Sequence, residues 1–213
     1  MAKEGIGVIL AVVLFSVVFI IAAKFTGDVV FRISIVLGVV FVLFSLYFFR
    51  NPDRKTPQSD NLIISPADGK IILIEEVDEK YFFKGPCKKV SIFMSAFNVH
   101  VNRNPIDGKV VFFNYKKGEF HQAFKDDASY ENEQTIIGVE NKDIKILYKQ
   151  IAGIFARRIV CHIREGNQVK QGERFGLIKF GSRMDIFMPL SVEVKVSLKE
   201  KVKAGETIIG IYN

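Results

Sequence analysis

Two long apolar stretches near the start of the chain constrain its architecture more than any other feature. Residues 5–23 and 33–49 contain no charged side chain. About 17–20 apolar residues in an α-helix span the roughly 30 Å hydrocarbon layer of a bilayer. Residues 1–50 are therefore predicted to form a two-helix membrane hairpin. The alternative is a hairpin buried in protein or lying at the membrane interface.

The orientation of this hairpin follows from its connection and its flanking charges. The short connection 24–32 predicts antiparallel helices, with both ends on one side of the membrane. A cleaved signal peptide explains the first stretch less well, because it is long and a second apolar stretch follows soon after. Lys and Arg are more numerous outside the hairpin than in its connection. This bias predicts a cell-membrane protein whose following domain is cytoplasmic.

Charge and cysteine content exclude two further classes of protein. The formal net charge of +7 suits an anionic lipid surface. The basic residues are scattered without a recognition motif, so no nucleic-acid partner is predicted. Cys87 and Cys161 lack the paired spacing of a metal site, so no metal is predicted. The oligomeric state stays open, a homo-oligomer included.

A polar, proline-containing linker over residues 50–61 marks a domain boundary. Its Arg50, Arg54 and Lys55 are interpreted as solvated charges. Residues 51–213 consist mostly of short β-type runs separated by turn residues, which predicts a mainly β domain. The segments 168–178 and 201–211 share Val-Lys-x-Gly-Glu, a pattern known from lipoyl and biotinyl carriers, in which the glycine lies in a turn between strands. They predict carrier-like hairpins with turns at these glycines.

The dipeptide Gly181-Ser182 lies between two β-like runs. A turn is its ordinary explanation. A serine hydroxyl beside a glycine carbonyl can also attack that carbonyl, since glycine offers no Cβ obstruction and tolerates strained backbone angles. Elimination and hydrolysis of the resulting ester would leave a pyruvoyl cap on residues 182–213.

Four features of the chain occur in the same order in one enzyme family. They are the apolar N-terminus and the runs SPADGKI (65–71), SAFNVHVNRNPIDG (95–108) and GERFGLIKFGSRMD (172–185). With these motifs the chain resembles the phosphatidylserine decarboxylases, in their short bacterial and archaeal form.

The resemblance assigns roles to individual residues. Ser182 matches the serine that becomes the pyruvoyl group, and Gly181 supplies the carbonyl of the cleaved bond. Asp68 matches an aspartate of self-processing, and His100 matches an active-site histidine. Arg103 stands where longer members have a second histidine; because a guanidinium is no base, Arg103 is interpreted as a substrate-binding residue. His121 and His162 match no motif and are interpreted as structural.

The resemblance also implies an activity and its partners. A precursor would cleave itself into a β chain, 1–181, and an α chain, 182–213, which stay associated. The pyruvoyl group would form a Schiff base with the amine of phosphatidylserine, and loss of CO2 would give phosphatidylethanolamine without a metal. The membrane would supply the phospholipid substrate.

Two other classes of function remain as alternatives. One is a non-enzymatic membrane adaptor with a carrier-like domain, although no modifiable lysine occupies the tip between the two repeats. The other is a hydrolase with a triad of Ser182, His100 and Asp68, although no Gly-x-Ser-x-Gly elbow surrounds the serine.

Overall fold

The computed structural model describes residues 1–57, 59, 61–118, 131–153, 159–179 and 181–212. The chain divides into two compact units, Met1–Pro52 and Asp53–Asn213. The first contains a short 3-10 turn and the helices α1 (Ile6–Ala23) and α2 (Asp28–Phe48). The second contains the strands β1 (Leu62–Ile64), β2 (Gly69–Glu79), β3 (Gly85–Met94), β4 (Val101–Arg103), β5 (Gly108–Lys116), β6 (Gln134–Glu140), β7 (Lys145–Ile151), β8 (Ile159–Cys161), β9 (Gln168–Val169), β10 (Arg174–Ile178), β11 (Ser182–Met188), β12 (Glu193–Val194), β13 (Lys201–Val202) and β14 (Ile208–Ile211).

The two helices form an antiparallel hairpin with an apolar outer surface. The amide of Ala2 donates to the carbonyl of Phe49 at 2.8 Å, which brings the start of α1 to the end of α2. Small residues line the contact between the helices: a Cβ added at Gly38 would lie 3.3 Å from the Cβ of Ser16. The large apolar side chains point outward instead. Close packing through small residues is typical of helices in lipid.

The predicted hairpin of apolar helices is confirmed. Both helices have the length and composition needed to cross a membrane. This property is compatible with membrane association and does not indicate on which side the second unit lies.

The second unit is mainly β, as predicted. Its largest sheet has the strand order β13-β2-β3-β11-β7-β6-β5-β9, and two three-stranded sheets have the orders β1-β14-β12 and β4-β10-β8. Apolar side chains that alternate along these strands, among them Ile71, Ile92 and Met184, form one continuous core. A smaller apolar cluster around Leu147 and Phe187 lies apart from it.

The β unit contains two copies of one local arrangement. In the first copy β1 leads through residues 65–69 into β2, and in the second β4 leads through residues 104–108 into β5. Both connecting segments have the pattern x-Pro-x-Asp-Gly. In the first copy β13 pairs with β2 and β14 pairs with β1. In the second copy β9 pairs with β5 and β10 pairs with β4.

The predicted carrier-like hairpins were not confirmed. Each Val-Lys-x-Gly-Glu segment connects two different sheets, because β9 and β10 pair with other strands rather than with each other. The turns contain Gly172 and Gly205, whose φ values of +78° and +77° favour glycine. The repeat thus identified the turn glycines correctly. Four of the six strand pairings of the two segments join residues 59 or more positions apart along the chain, beyond the reach of a local pattern.

Candidate active site

The candidate site lies where three adjacent strands of the large sheet reach the same edge. In this sheet Lys70 of β2 pairs with Phe93 of β3, and Phe93 pairs with Arg183 of β11. One step further toward the edge, Ser182 pairs with Met94. Neighbouring strands are about 4.8 Å apart. The register therefore brings the predicted residues Asp68, Gly181 and Ser182 to one edge.

The Gly181-Ser182 bond joins a glycine in the left-handed conformation to a buried strand. Gly181 has φ +50°, in the left-handed region, and no atom would lie within 4 Å of an added Cβ. Glycine is therefore required here for backbone conformation and not for space. Ser182, the first residue of β11, is fully buried, and its hydroxyl donates to the Sδ atom of Met94 at 3.4 Å.

Polar side chains continue inward from Met94. The Nδ2 atom of Asn102 lies 3.9 Å from Met94 Sδ, and Asn102 Oδ1 accepts a hydrogen bond of 2.9 Å from Gln150 Nε2. Both amides are fully buried. Buried polar groups that bond to one another fix a unique arrangement of side chains. The serine hydroxyl therefore faces a fixed interior surface in this uncut chain.

His100 is held in one tautomer close to this edge. Its ring is 1% exposed, and Nδ1 lies 3.0 Å from the carbonyl oxygen of Asn98. A carbonyl only accepts, so Nδ1 carries a hydrogen and the neutral ring has its lone pair on Nε2. The backbone carbonyl of His100 accepts from the amide of Ile178, three residues before Gly181.

Asp68 is held by two strong contacts. Its Oδ2 atom accepts from Arg54 Nη2 at 2.8 Å, and its Oδ1 atom accepts from the amide of Ala204 at 2.8 Å. Arg54 also contacts Glu206 at 3.2 Å, and its side chain is only 8% exposed. The interpretation of Arg54 as a solvated charge was wrong. Arg54 lies in a polar linker, and nothing in that linker indicates its partner, Asp68, which lies 14 residues further along the chain.

The second copy of the arrangement shows which contact of Asp68 is structural. The equivalent residue, Asp107, accepts from the amide of Gln171 at 2.9 Å, just as Asp68 accepts from Ala204. The backbone contact thus belongs to the fold of both copies. The buried ion pair with Arg54 distinguishes Asp68.

The half-buried side chain of Arg103 lies near those of Asp68 and Arg54. Its Nη1 atom donates to the carbonyl of Gly172 at 2.9 Å, and its Cδ atom packs over Gly205. Burial lowers the pKa of its guanidinium and nearby Arg54 lowers it further, whereas Asp68 opposes the shift. A side chain held in this way braces two turns of the fold, and the assignment of Arg103 as a substrate-binding residue stays a prediction.

A cavity of about 500 Å³ opens beside Asp68. Its described lining residues are Asp68, Gly69, Lys70, Phe93, Ser95, Phe97, Asn98, Lys201, Val202 and Lys203. The loop on one side is fixed, because the amide and hydroxyl of Ser95 both donate to Asn98 Oδ1, at 2.9 and 2.8 Å. Arg103 is not among these lining residues.

A buried charged pair follows directly after the Gly181-Ser182 dipeptide. Arg183 and Asp185 are both fully buried on the face of β11 opposite to Ser182. Arg183 Nε donates to Asp185 Oδ1 at 2.6 Å, and Arg183 Nη2 donates to Ser91 Oγ at 2.9 Å. Sequence analysis missed this pair. The signal available in the sequence was a pair of opposite charges at positions i and i+2 of an otherwise apolar strand, which places both on one face.

The predicted site residues thus share one edge but are not all in contact. The hydroxyl of Ser182 bonds to Met94 and not to His100 or Asp68 among the described residues. The geometry of a serine hydrolase triad is therefore absent from the described part of the chain. His121 lies outside the described residues, and the amide of His162 donates to the carbonyl of Phe175 within the fold.

Comparisons with known proteins agree with this architecture. A family model described as phosphatidylserine decarboxylase matches residues 41–210. A phosphatidylserine decarboxylase proenzyme of Syntrophus aciditrophicus is 48% identical over 99% of this chain and 97% of its own length. Proenzymes of the same name from Chlorobium limicola and Cytophaga hutchinsonii are 46% and 49% identical, over 84% of this chain and over 84% and 81% of their own lengths.

The mainly β unit and the names of these relatives define a class, the decarboxylases that are made as proenzymes. The chain belongs to the phosphatidylserine decarboxylase family. Members of this family act in phospholipid biosynthesis, converting phosphatidylserine to phosphatidylethanolamine.

Proposed function

We propose that this chain cleaves itself between Gly181 and Ser182 and then decarboxylates phosphatidylserine with a pyruvoyl group derived from Ser182. One observation carries the proposal: a glycine in the left-handed conformation directly precedes a fully buried serine at the first position of a central strand. The products are the β chain, 1–181, and the α chain, 182–213.

Self-cleavage uses atoms of the chain itself. The Ser182 hydroxyl attacks the carbonyl carbon of Gly181, and an ester replaces the peptide bond. Elimination across Cα–Cβ of residue 182 releases the Gly181 carboxylate and leaves dehydroalanine. Water then adds to the imine tautomer, ammonia leaves, and the α chain begins with a ketone.

Asp68 and His100 support the two stages of the reaction. Asp68, held between Arg54 and the Ala204 amide, keeps a carboxylate at a fixed position near the edge during processing. His100, with its Nδ1 hydrogen fixed by Asn98, presents the Nε2 lone pair, which first takes up a proton and then returns it to the substrate Cα. The pyruvoyl group supplies the electron-withdrawing carbonyl that lets the carboxylate leave as CO2.

The apolar hairpin supports a membrane location for the proposed reaction. We assign residues 1–50 to membrane anchoring and residues 51–213 to catalysis, with the catalytic unit on the cytoplasmic side. Two helices of sufficient length and the charge bias around them support the assignment. The phospholipid substrate then lies in the membrane that holds the enzyme.

Replacement of the serine tests the proposal. A Ser182→Ala protein should remain one chain on a denaturing gel and produce no phosphatidylethanolamine. The matched control is Ser197→Ala, which removes an exposed hydroxyl and should give two bands and normal turnover. A Ser182→Ala protein that still decarboxylated phosphatidylserine would contradict the assignment, and an active, uncut wild-type chain would contradict it equally.

A further inference from the structure

Two lysines face each other across adjacent strands at the edge of the candidate site. Lys70 of β2 and Lys201 of β13 are directly paired in the antiparallel register. Side chains in such a pair lie on the same face with Cβ atoms about 5 Å apart, and like charges there destabilise the sheet. Neither lysine forms an ion pair within the described part of the chain.

The second copy of the arrangement shows that the fold does not need this pair. The equivalent residues of β5 and β9 are Lys109 and Gln168, which are also directly opposite each other. There the second lysine is replaced by a neutral residue. The repulsive pair is therefore particular to the copy that contains Asp68 and adjoins Gly181.

The paired lysines line the 500 Å³ cavity beside Asp68, together with Lys203. Lys203 has only a long contact to Glu206, at 4.0 Å, and its side chain is 67% exposed. The charge of Asp68 is already balanced by Arg54 and the Ala204 amide. The cavity therefore presents a surplus of ammonium groups. Phe97, 68% exposed, adds an apolar wall.

We propose that Lys70 and Lys201, assisted by Lys203, bind the phosphodiester of the lipid headgroup. This inference rests on the proposed function, because the substrate carries a phosphodiester next to its serine. Two ammonium groups on one face can share one phosphate, which removes their mutual repulsion. β2 is separated from β11 only by β3. The phosphate would thus be bound beside the edge at which the new chain end forms.

Turnover of a monomeric substrate tests the site without a charged membrane. The full chain in nonionic detergent is assayed with short-chain phosphatidylserine. We expect Lys70→Gln and Lys201→Gln each to raise KM about tenfold, with kcat within about threefold and normal self-cleavage. Lys70→Arg should recover most of the affinity. The matched control is Lys109→Gln, which changes the equivalent lysine of the second copy and should leave KM unchanged.

Binding to the uncut Ser182→Ala chain provides a readout that is independent of turnover. Calorimetry should show short-chain phosphatidylserine binding that weakens at least tenfold in the Lys70→Gln/Lys201→Gln protein and not in the Lys109→Gln protein. Equal affinities in these two proteins would overturn the inference. Inorganic phosphate that binds as tightly as the lipid would overturn the assignment to a headgroup.

The two proposals fail in different ways. If binding depends on the lysines but the wild-type chain forms no phosphatidylethanolamine, the proposed function is wrong and the phosphodiester site stands. If the wild-type chain is active and the lysine variants behave like Lys109→Gln in both assays, the site is wrong and the function stands.

Discussion

Gly181 illustrates how the backbone conformation of one residue can favour the proposed cleavage of a peptide bond. Its φ of +50° places the residue where an L-amino acid with a Cβ is disfavoured by about 1–2 kcal/mol. The surrounding space is open, so packing contributes nothing to the requirement for glycine. This backbone conformation lies directly at the carbonyl that the Ser182 hydroxyl is proposed to attack.

We expect Gly181→Ala to slow self-cleavage about tenfold, because the cost of the left-handed conformation shifts the carbonyl away from the serine. The appearance of fragment 182–213 over time on a denaturing gel measures this rate. Gly166→Ala is the control, since Gly166 also has a positive φ, +91°, and open space but lies away from the cleaved bond. Equal rates for the two variants would show that the left-handed conformation of Gly181 does not affect self-cleavage.

Arg54 illustrates a residue whose role appears only through its partner. We expect Arg54→Gln to lower the stability by about 3 kcal/mol, because the buried carboxylate of Asp68 loses its ion pair. Glu206→Gln removes only the second, 31% exposed partner and should cost less than about 1 kcal/mol. Thermal unfolding of both variants in the uncut Ser182→Ala chain measures the difference. Similar melting temperatures would mean that the Arg54–Asp68 pair contributes little.

Among the described elements, β11 is a fully buried strand, and it begins at the proposed cleavage site. All seven of its residues are buried, and it pairs with β3 on one side and β7 on the other. Its alternate residues divide between two environments: Ser182 and Met184 face the main core, whereas Arg183 and Asp185 face the opposite side. A strand held on both edges keeps residue 182 in register before and after cleavage.

We expect Asp185→Asn to destabilise the chain by about 3 kcal/mol, since it removes a carboxylate that neutralises the fully buried Arg183. The exposed pair of Glu193 and Lys195 provides the contrast. Glu193→Gln should change stability by less than about 1 kcal/mol, because the Glu193 side chain is 69% exposed. Melting temperatures in the Ser182→Ala chain test the comparison, and an Asp185→Asn protein as stable as Glu193→Gln would contradict it.

At the scale of the whole molecule, the proposed α chain is interwoven with the β chain. Of its strands, β11 lies between β3 and β7, β13 pairs with β2, and β14 pairs with β1. Cleavage at 181–182 interrupts the chain at an edge and leaves these pairings intact. The two chains should therefore stay together without a covalent bond.

We expect the processed protein to show one mass under native conditions and two bands on a denaturing gel. The reason is that separation would expose the core side chains of β11 and β14 to water. Native mass spectrometry in detergent makes the measurement, with the single-chain Ser182→Ala protein as the reference. Fragment 182–213 leaving the complex on simple dilution would contradict the expectation.

Local patterns in the sequence correctly predicted the apolar helices, most of the β runs and the turn glycines Gly172 and Gly205. Each of these features depends on residues that are neighbours along the chain, so periodicity and glycine conformation are sufficient. The motifs around Asp68, His100 and Ser182 identified the family for the same reason. Most strand partners of the repeat segments could not be predicted from local patterns, because four of the six pairings join residues 59 or more positions apart.

The amino-acid sequence alone therefore predicted the hairpin of two apolar helices, the β character of the second unit and the candidate cleavage bond. Folding decided which side chains come together: Arg54 with Asp68, Arg183 with Ser91, and Lys70 opposite Lys201. These pairs join strands and loops that are separated by up to 131 residues along the chain. Burial and strand register arise only when the sheets assemble. They bring such distant side chains together in one site.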